Sequence, residues 1–412
     1  MRAAIFGTFD IGNFGDLMFP IIAAHGLSEN GVDDVTKYSY QRKTSSSWFY
    51  DVEPIQDFPV HLEAEGVDLV LIGGGHLVHF NRAMAHGYGP SDPRIPHPLG
   101  FWWVPAIAAR FGGIPAALNA VSVDDSIPRW AGPLMEAFLD ALGYVAVRDN
   151  QSRKRLQQFA NQRVELNVVP DTVHGIPDLV QRGVFSDRFW KLSNEIGLGR
   201  DYIIVQPSMG LRRFKDPIGS LVQDAIRQGF DVLELPIFHE NVDVAGYLRT
   251  SGSIKSIAEW PDPLLLAELI ANSQSVIGIS LHLSIVASAY GIPVHRPRYS
   301  PTSKFVALDG LPNLVWLDDA DKLKWIDSSN VDLSEVNDRR LRITEHWSRI
   351  GELARETGSP PCVRGWNQIL QTPAAFRGAS GTRDKLETIH EEGSRRMHLV
   401  AHAVRSRMLR SR

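Results

Sequence analysis

Short runs of consecutive apolar residues alternate with longer stretches in which apolar positions recur at helical spacing. Arg2 to Phe6 predicts a first strand, followed by a glycine-rich turn and a helix over Phe19 to Leu27. Val67 to Ile72 predicts a second strand, ending in Gly73-Gly74-Gly75. Helices then follow at Trp102 to Phe111, Leu134 to Leu142 and Gln151 to Phe159, interleaved with strands at Pro115 to Val121, Gly143 to Val147 and Val164 to Val169. After Asp178 the pattern lapses into a polar stretch. It resumes with strands at Tyr202 to Gln206, Val232 to Pro236, Ser275 to Ile279 and Ile292 to Val294, separated by helices at Ile218 to Arg227, Leu264 to Ala271 and Leu283 to Tyr290. Strand followed by helix, repeated, predicts parallel α/β sheets covered on both faces. A break at 180–200 divides the chain into an α/β lobe over 1–190 and a second over 191–330, with a polar helical extension over 331–412. Such a pair forms its site in the crevice at the carboxyl ends of the strands.

Composition narrows the function. The length of 412 residues fits two or three domains at roughly 150 residues each. A net charge of −4 gives no whole-protein electrostatic case for nucleic-acid binding. The single cysteine, Cys362, excludes an internal disulfide framework and a Cys-rich zinc site. The longest apolar stretch, Gly100 to Val123, is broken by Arg110, Gly112-Gly113, Pro115 and Asn119, and so reads as a helix and a buried strand. Met1 to Gly7 is too short an apolar run for a signal peptide, which suggests a cytoplasmic protein. Residues 377–412 carry nine Lys/Arg against four Asp/Glu, at loose amphipathic spacing. This tail reads first as a solvated or frayed terminal helix, and alternatively is suited to touching the anionic inner face of a membrane.

Four segments carry candidate chemistry. Gly12-Asn13-Phe14-Gly15-Asp16, directly after the first strand, is either an anion-binding helix start, with Asn13 and Asp16 toward the ligand, or an ordinary turn capped by Asp16. It matches neither G-x-G-x-x-G nor a P-loop. Gly73, Gly74 and Gly75 strip side chains from a strand end and leave backbone amides to face a ligand. Arg148-Asp149-Asn150-Gln151-Ser152 offers either a guanidinium for a carboxylate or phosphate, or a local ion pair with Ser152 or Asn150 as helix cap. Asp171 is a further strand-end residue. Ser280-Leu281-His282 places a histidine at a helix start, where it serves as an acid or base or else is structural. His76, His79, His86 and His97 invite a metal reading, with His76 and His79 on one helix face, but no carboxylate completes a ligand set. No metal or cofactor is expected.

Taken in order, these motifs resemble the polysaccharide pyruvyl transferase family. The pieces are Gly12 to Asp16, Asp68 to Gly75, Trp102 to Pro115 with the strand it leads into, Val147-Arg148-Asp149 with Ser152, Asp171, Leu265 to Asn272, Val276 to His282, and Tyr290 to Val294. The resemblance implies two Rossmann-like lobes similar to GT-B glycosyltransferases. It implies transfer of pyruvate from phosphoenolpyruvate to a sugar or lipid-linked saccharide, as a cyclic ketal, in surface polysaccharide or glycolipid assembly. His282 would be the catalytic group, with Asn13, Asp16, Gly73, Gly74, Gly75, Arg148, Ser280 and Lys304 binding substrate. In the family an arginine typically stands two residues before this histidine and binds phosphoenolpyruvate; here that position is Ser280. Arg148, Arg212, Arg213, Arg296, Arg298 and Lys304 are the cations available to compensate. His76 stands where the family usually has a small residue. Two alternatives remain: a nucleotide-sugar glycosyltransferase of the same architecture, or a non-catalytic saccharide-binding descendant. Acceptor choice is expected in variable loops such as 83–98.

Overall fold

The computed structural model describes residues 1–80, 99–124, 127–239, 254–298, 304–318 and 331–356. The acceptor-loop candidate 83–98, the histidines His86 and His97, Cys362 and the basic segment 377–412 lie outside the described residues.

Lobe one is a parallel sheet of β1 (Arg2–Phe6), β2 (Asp34–Ser39), β3 (Glu53–Pro54), β4 (Leu69–Ile72), β5 (His76–Val78), β6 (Ala116–Val123), β7 (Tyr144–Val147) and β8 (Leu166–Val168). The strand order is β3-β2-β1-β4-β6-β7-β8, with β5 also paired to β6. Its helices are α1 (Phe14–Ser28), α2 (Phe58–Glu65), α3 (Trp103–Gly112), α4 (Gly132–Asp140) and α5 (Asn150–Gln157). Lobe two repeats the plan, with strands β9 (Tyr202–Val205), β10 (Asp231–Glu234), β11 (Ile254–Ser256), β12 (Ser275–Ile277), β13 (Val294–Arg296) and β14 (Leu314–Trp316), all parallel, in the order β11-β10-β9-β12-β13-β14. Its helices are α6 (Asp187–Ile196), α7 (Lys215–Arg227), α8 (Pro263–Ala271) and α9 (Leu281–Ala289), and α10 (Ser334–Ala354) follows. Strands β1, β4, β6, β9 and β12 are buried along all or nearly all of their length, which is why each reads as a largely apolar run.

Local chemistry sets the differences from the predicted elements. Helix α1 starts at Phe14, because the Asn13 side chain accepts the Gly15 N–H at 3.2 Å; Asp16 lies in the first turn and is not the cap. Helix α5 is likewise capped by Asp149, whose Oδ1 accepts the Ser152 N–H at 2.7 Å, and not by Asn150 or Ser152. The polar stretch after Asp178 contains α6, whose buried positions are only Phe189 and Ser193. Its cap Ser186 is anchored to Glu268 of α8 by two hydrogen bonds of 2.6 and 2.7 Å. Strands β2 and β11 lack the unbroken apolar run, and β14, Leu-Val-Trp, is apolar but only three residues long. His76 and His79 lie on and just after strand β5, not on a helix face.

In each sheet the chain reverses direction of growth once, between β1 and β4 and between β9 and β12. These reversals open a crevice at the strand ends. One apolar core joins the lobes: Phe14, Phe19 and Ile22 of α1 pack with Leu266 and Ile270 of α8, Ile285 and Val286 of α9, and Val173 and Ile176 of the 3-10 turn Thr172–Asp178. Helix α10 straps the two lobes. Arg339 donates to the carbonyls of Ala307 and Asp309 in lobe two, while Trp347 lies against Gly26 of α1 in lobe one. Among the described residues, no helix is long and apolar enough to cross a membrane.

Candidate active site at the facing strand ends

The loop after β1 meets lobe two directly. The Phe14 N–H donates to the Ile237 carbonyl at 3.1 Å, and the His239 N–H donates to the Gly12 carbonyl at 2.8 Å. In the first turn of α1, a Cβ on Gly15 would sit 1.7 Å from His282 Nδ1. Only glycine lets the lobe-two histidine come this close to the first turn of the helix. Beyond it, the His282 ring meets Phe19 edge-on at 5.2 Å. Gly73, Gly74 and Gly75 all have positive φ, between 77° and 112°, and a Cβ on Gly74 would strike the Phe19 ring at 2.3 Å. The triplet therefore makes room for Phe19, which in turn seats His282. One of its three amides is unavailable to a ligand, because the Gly73 N–H donates to the Phe6 carbonyl at 2.8 Å.

Around His282 the strand ends of lobe one bring a charged network together. His282 Nε2 lies 3.5 Å from Asp171 Oδ2, and the same oxygen accepts from Arg148 Nη1 at 3.4 Å. Asp171 Oδ1 accepts the Val173 N–H at 3.1 Å. Burial works to raise the Asp171 pKa. His282 at 3.5 Å, then Arg148 and the Val173 N–H, overcome that and bring it down to about 2. Arg148 is 4% exposed. Its Nη2 donates to Ser122 Oγ at 3.0 Å, while its Nε lies 4.0 Å from Asp149 Oδ2 and makes no hydrogen bond among the described residues. Ser122 Oγ is also 2.6 Å from His76 Nδ1.

Asp16 faces His282 from α1. Burial raises its pKa, against the charges of His282 and Lys304 and the hydrogen bonds of Thr8 and Asn13. Asn13 Nδ2 donates to Asp16 Oδ2 at 2.8 Å, so the helix cap also orients this carboxyl. Lys304 comes from the 3-10 turn after β13. Its pKa is lowered by burial and by Arg148, with Asp16 opposing and Arg296 adding to the effect. Asp16, Arg148, His282 and Lys304 thus share one crevice.

Ser280 is spent on local structure. Its hydroxyl accepts the Leu283 N–H at 3.4 Å as the cap of α9, and its own N–H donates to Gln206 Oε1 at 2.9 Å. Beneath that helix start, buried Arg296 donates to Ser284 Oγ at 2.8 Å and to the Ile279 carbonyl at 3.3 Å. Arg212 and Arg213 are exposed, with Arg213 stacked over Phe214. Arg298 is stacked over Trp316. The members that motif reading passes over are Thr8, Phe19, Ser122 and Gln206. Each is an ordinary residue in the sequence, and only its place beside a strand end distinguishes it.

The comparisons agree with this architecture. The UDP-GlcNAc 2-epimerase from Neisseria meningitidis bound to UDP-GlcNAc superposes with a TM-score of 0.53 at 12% identity, covering 92% of this chain and 100% of the epimerase. The UDP-GlcNAc 2-epimerase from Methanocaldococcus jannaschii gives 0.52 at 11% identity, covering 91% and 100%. At such identities these matches show a fold: two Rossmann-like lobes of the GT-B kind. No curated protein matches the chain. The family model described as polysaccharide pyruvyl transferase matches residues 13–297, from the Asn13 cap of α1 to the end of β13 and across both faces of the crevice. The chain belongs to the polysaccharide pyruvyl transferase family.

Proposed function

We propose that this protein transfers the pyruvyl unit of phosphoenolpyruvate to two hydroxyls of one sugar, forming a cyclic ketal and releasing phosphate. The observation that carries this reading is the meeting of His282 with Asp171, Asp16 and the cations Arg148 and Lys304 where both sheets reverse.

The enol C3 must gain a proton, which leaves C2 electrophilic. A sugar hydroxyl then bonds to C2 and loses its proton, the C2–O bond to phosphate breaks, and the second hydroxyl closes the ketal with loss of its own proton. Two groups that exchange protons and several donors for a multiply charged anion meet that need. His282, oriented by the Asp171 carboxylate, delivers the proton to C3. Asp16, whose burial raises its pKa and so makes its carboxylate a stronger base, takes the proton of the first hydroxyl, and the departing phosphate takes that of the second. Arg148 and Lys304 hold the phosphate and carboxylate. Arg296, beneath the start of α9, adds positive charge near the position where Ser280 replaces the family arginine. The acceptor is a saccharide or lipid-linked saccharide of surface polysaccharide or glycolipid assembly. A lipid-linked acceptor would draw the protein to the cytoplasmic face of a membrane.

The test is phosphate release from phosphoenolpyruvate with a panel of saccharides, coupled to mass detection of the ketal. His282→Ala is expected to lower release by about 10²–10⁴-fold. Equal release by both proteins would remove His282 from the mechanism.

A further inference from the structure

His76 follows the glycine triplet as the first residue of β5, and its imidazole is half-buried. Its Nδ1 is 2.6 Å from Ser122 Oγ, and the same oxygen receives a hydrogen bond from Arg148 Nη2 at 3.0 Å. The directions in this chain are fixed by elementary chemistry. A guanidinium has no acceptor, so Arg148 must donate to Ser122. Ser122 is buried, and its hydroxyl has one proton to place. Within the described residues, His76 Nδ1 is the acceptor in reach of that proton. Were Nδ1 protonated instead, the Ser122 proton would be buried without a partner, which folded proteins avoid. The relay therefore runs from Arg148 to Ser122 to His76 Nδ1, and leaves the ring proton on Nε2.

Electrostatics agree. Burial, then Arg148, His79, Lys304 and Arg155, push the His76 pKa down to about 3, so the ring is neutral. Among the described residues, Nε2 makes no hydrogen bond, although Arg148 stands one hydroxyl away and the charges of Arg148 and Lys304 reach the ring.

We propose that His76 is a ligand-binding residue of the crevice: a neutral imidazole whose Nε2–H, oriented by Ser122 and Arg148, donates to an oxygen of an anionic substrate. The inference rests on the reading above only for the identity of that anion, a phosphate- and carboxylate-bearing molecule. A neutral donor suits this place, because a third fixed positive charge beside Arg148 and Lys304 would have to be desolvated and held against repulsion.

Two side-chain amides separate the roles of the two nitrogens. In His76→Gln the longer side chain can set its amide N–H near the place of Nε2, whereas in His76→Asn the shorter one reaches only the place of Nδ1. Binding of phosphoenolpyruvate and of inorganic phosphate to the full chain is measured by calorimetry for wild type, His76→Gln and His76→Asn. His76→Asn is expected to weaken binding by roughly tenfold or more, and His76→Gln to recover most of it. Nitrogen-15 NMR of the free protein is expected to show a neutral, Nε2-protonated His76 from pH 5 to 8, and Ser122→Ala to release the other tautomer. Wild-type affinity in both His76 variants would overturn the proposal and leave the phosphoenolpyruvate reading intact. Binding of phosphate but not phosphoenolpyruvate by wild type, lost in His76→Asn, would uphold His76 and overturn the donor. Failure of wild type to bind either anion, or an Nδ1-protonated or charged ring, would overturn the proposal.

Discussion

Two buried clusters pair an arginine with a histidine, and their guanidiniums are wired differently. In the crevice, Arg148 leaves Nε without a hydrogen bond among the described residues, and His282 Nε2 stands 3.5 Å from its carboxylate partner. Behind the crevice, Arg339 of α10 spends its guanidinium on Glu335, His174 and the carbonyls of Ala307 and Asp309. His346 is bonded through both ring nitrogens, to Asn119 at 2.9 Å and Tyr144 at 3.1 Å. Buried polar groups that serve only the fold are, as a rule, satisfied within it. The Arg339 guanidinium is therefore a clamp, while that of Arg148, left partly open at a strand end, is placed to meet a ligand; His174 Nδ1 and Asn119 Nδ2 beside the clamp also lack partners among the described residues.

Substitutions can break this contrast. Arg148→Ala leaves the buried Asp171 carboxylate with only the Val173 N–H and His282, and removing one partner of a buried pair typically costs about 3–5 kcal/mol. Denaturant unfolding should register that loss, and anion affinity should fall with it. Arg339→Ala orphans two backbone carbonyls, so a cost of about 2–4 kcal/mol is expected. Here phosphate affinity measured below the unfolding transition should stay within about twofold; a larger drop would make the clamp part of the site.

The clamp also sets an acid limit. Burial holds the pKa of His346 down to about 3, and burial with the charge of Arg339 does the same for His174. The unfolded chain binds these protons more readily than the folded one. Stability is therefore full above about pH 6.5 and lost as pH falls from there toward 3, by about 2 kcal/mol per histidine at pH 5. Urea midpoints at pH 7 and pH 5 measure this slope, and His346→Gln should flatten it.

The smallest expected effect is at Ser280. Loss of its cap in Ser280→Ala should cost about 1 kcal/mol, with phosphate release changed by less than about threefold. A much larger loss of release would assign the hydroxyl to the ligand.

Much of this is legible in one dimension. Strands buried on both faces are largely apolar runs, so β1, β4 and β6 announce themselves within a residue or two at most ends. The glycines of Gly12 to Asp16 and of Gly73 to Gly75 mark strand ends, because only they tolerate the φ angles or close approaches required there. Helix α6 escapes pattern reading because its buried stripe is two residues wide, and its cap is held by Glu268 from far along the chain. Motif reading gives the cap of α1 to Asp16, although Asn13 accepts the hydrogen bond, because both residue types suit the role and only geometry chooses.

The sequence by itself determined the two-lobed α/β plan and the family, since both depend on local periodicity and on the order of motifs. It also marked His282 and Arg148 as residues to watch. Tertiary structure alone decided what they touch. His282 meets Asp171, Gly15 and Phe19 across the lobes, and Arg148 reaches His76 through Ser122. It also turned Ser280 into a helix cap and His76 into an oriented donor. The reason is physical. Strand and helix patterns follow from neighbours along the chain, whereas the state of a charge or a proton depends on neighbours in space.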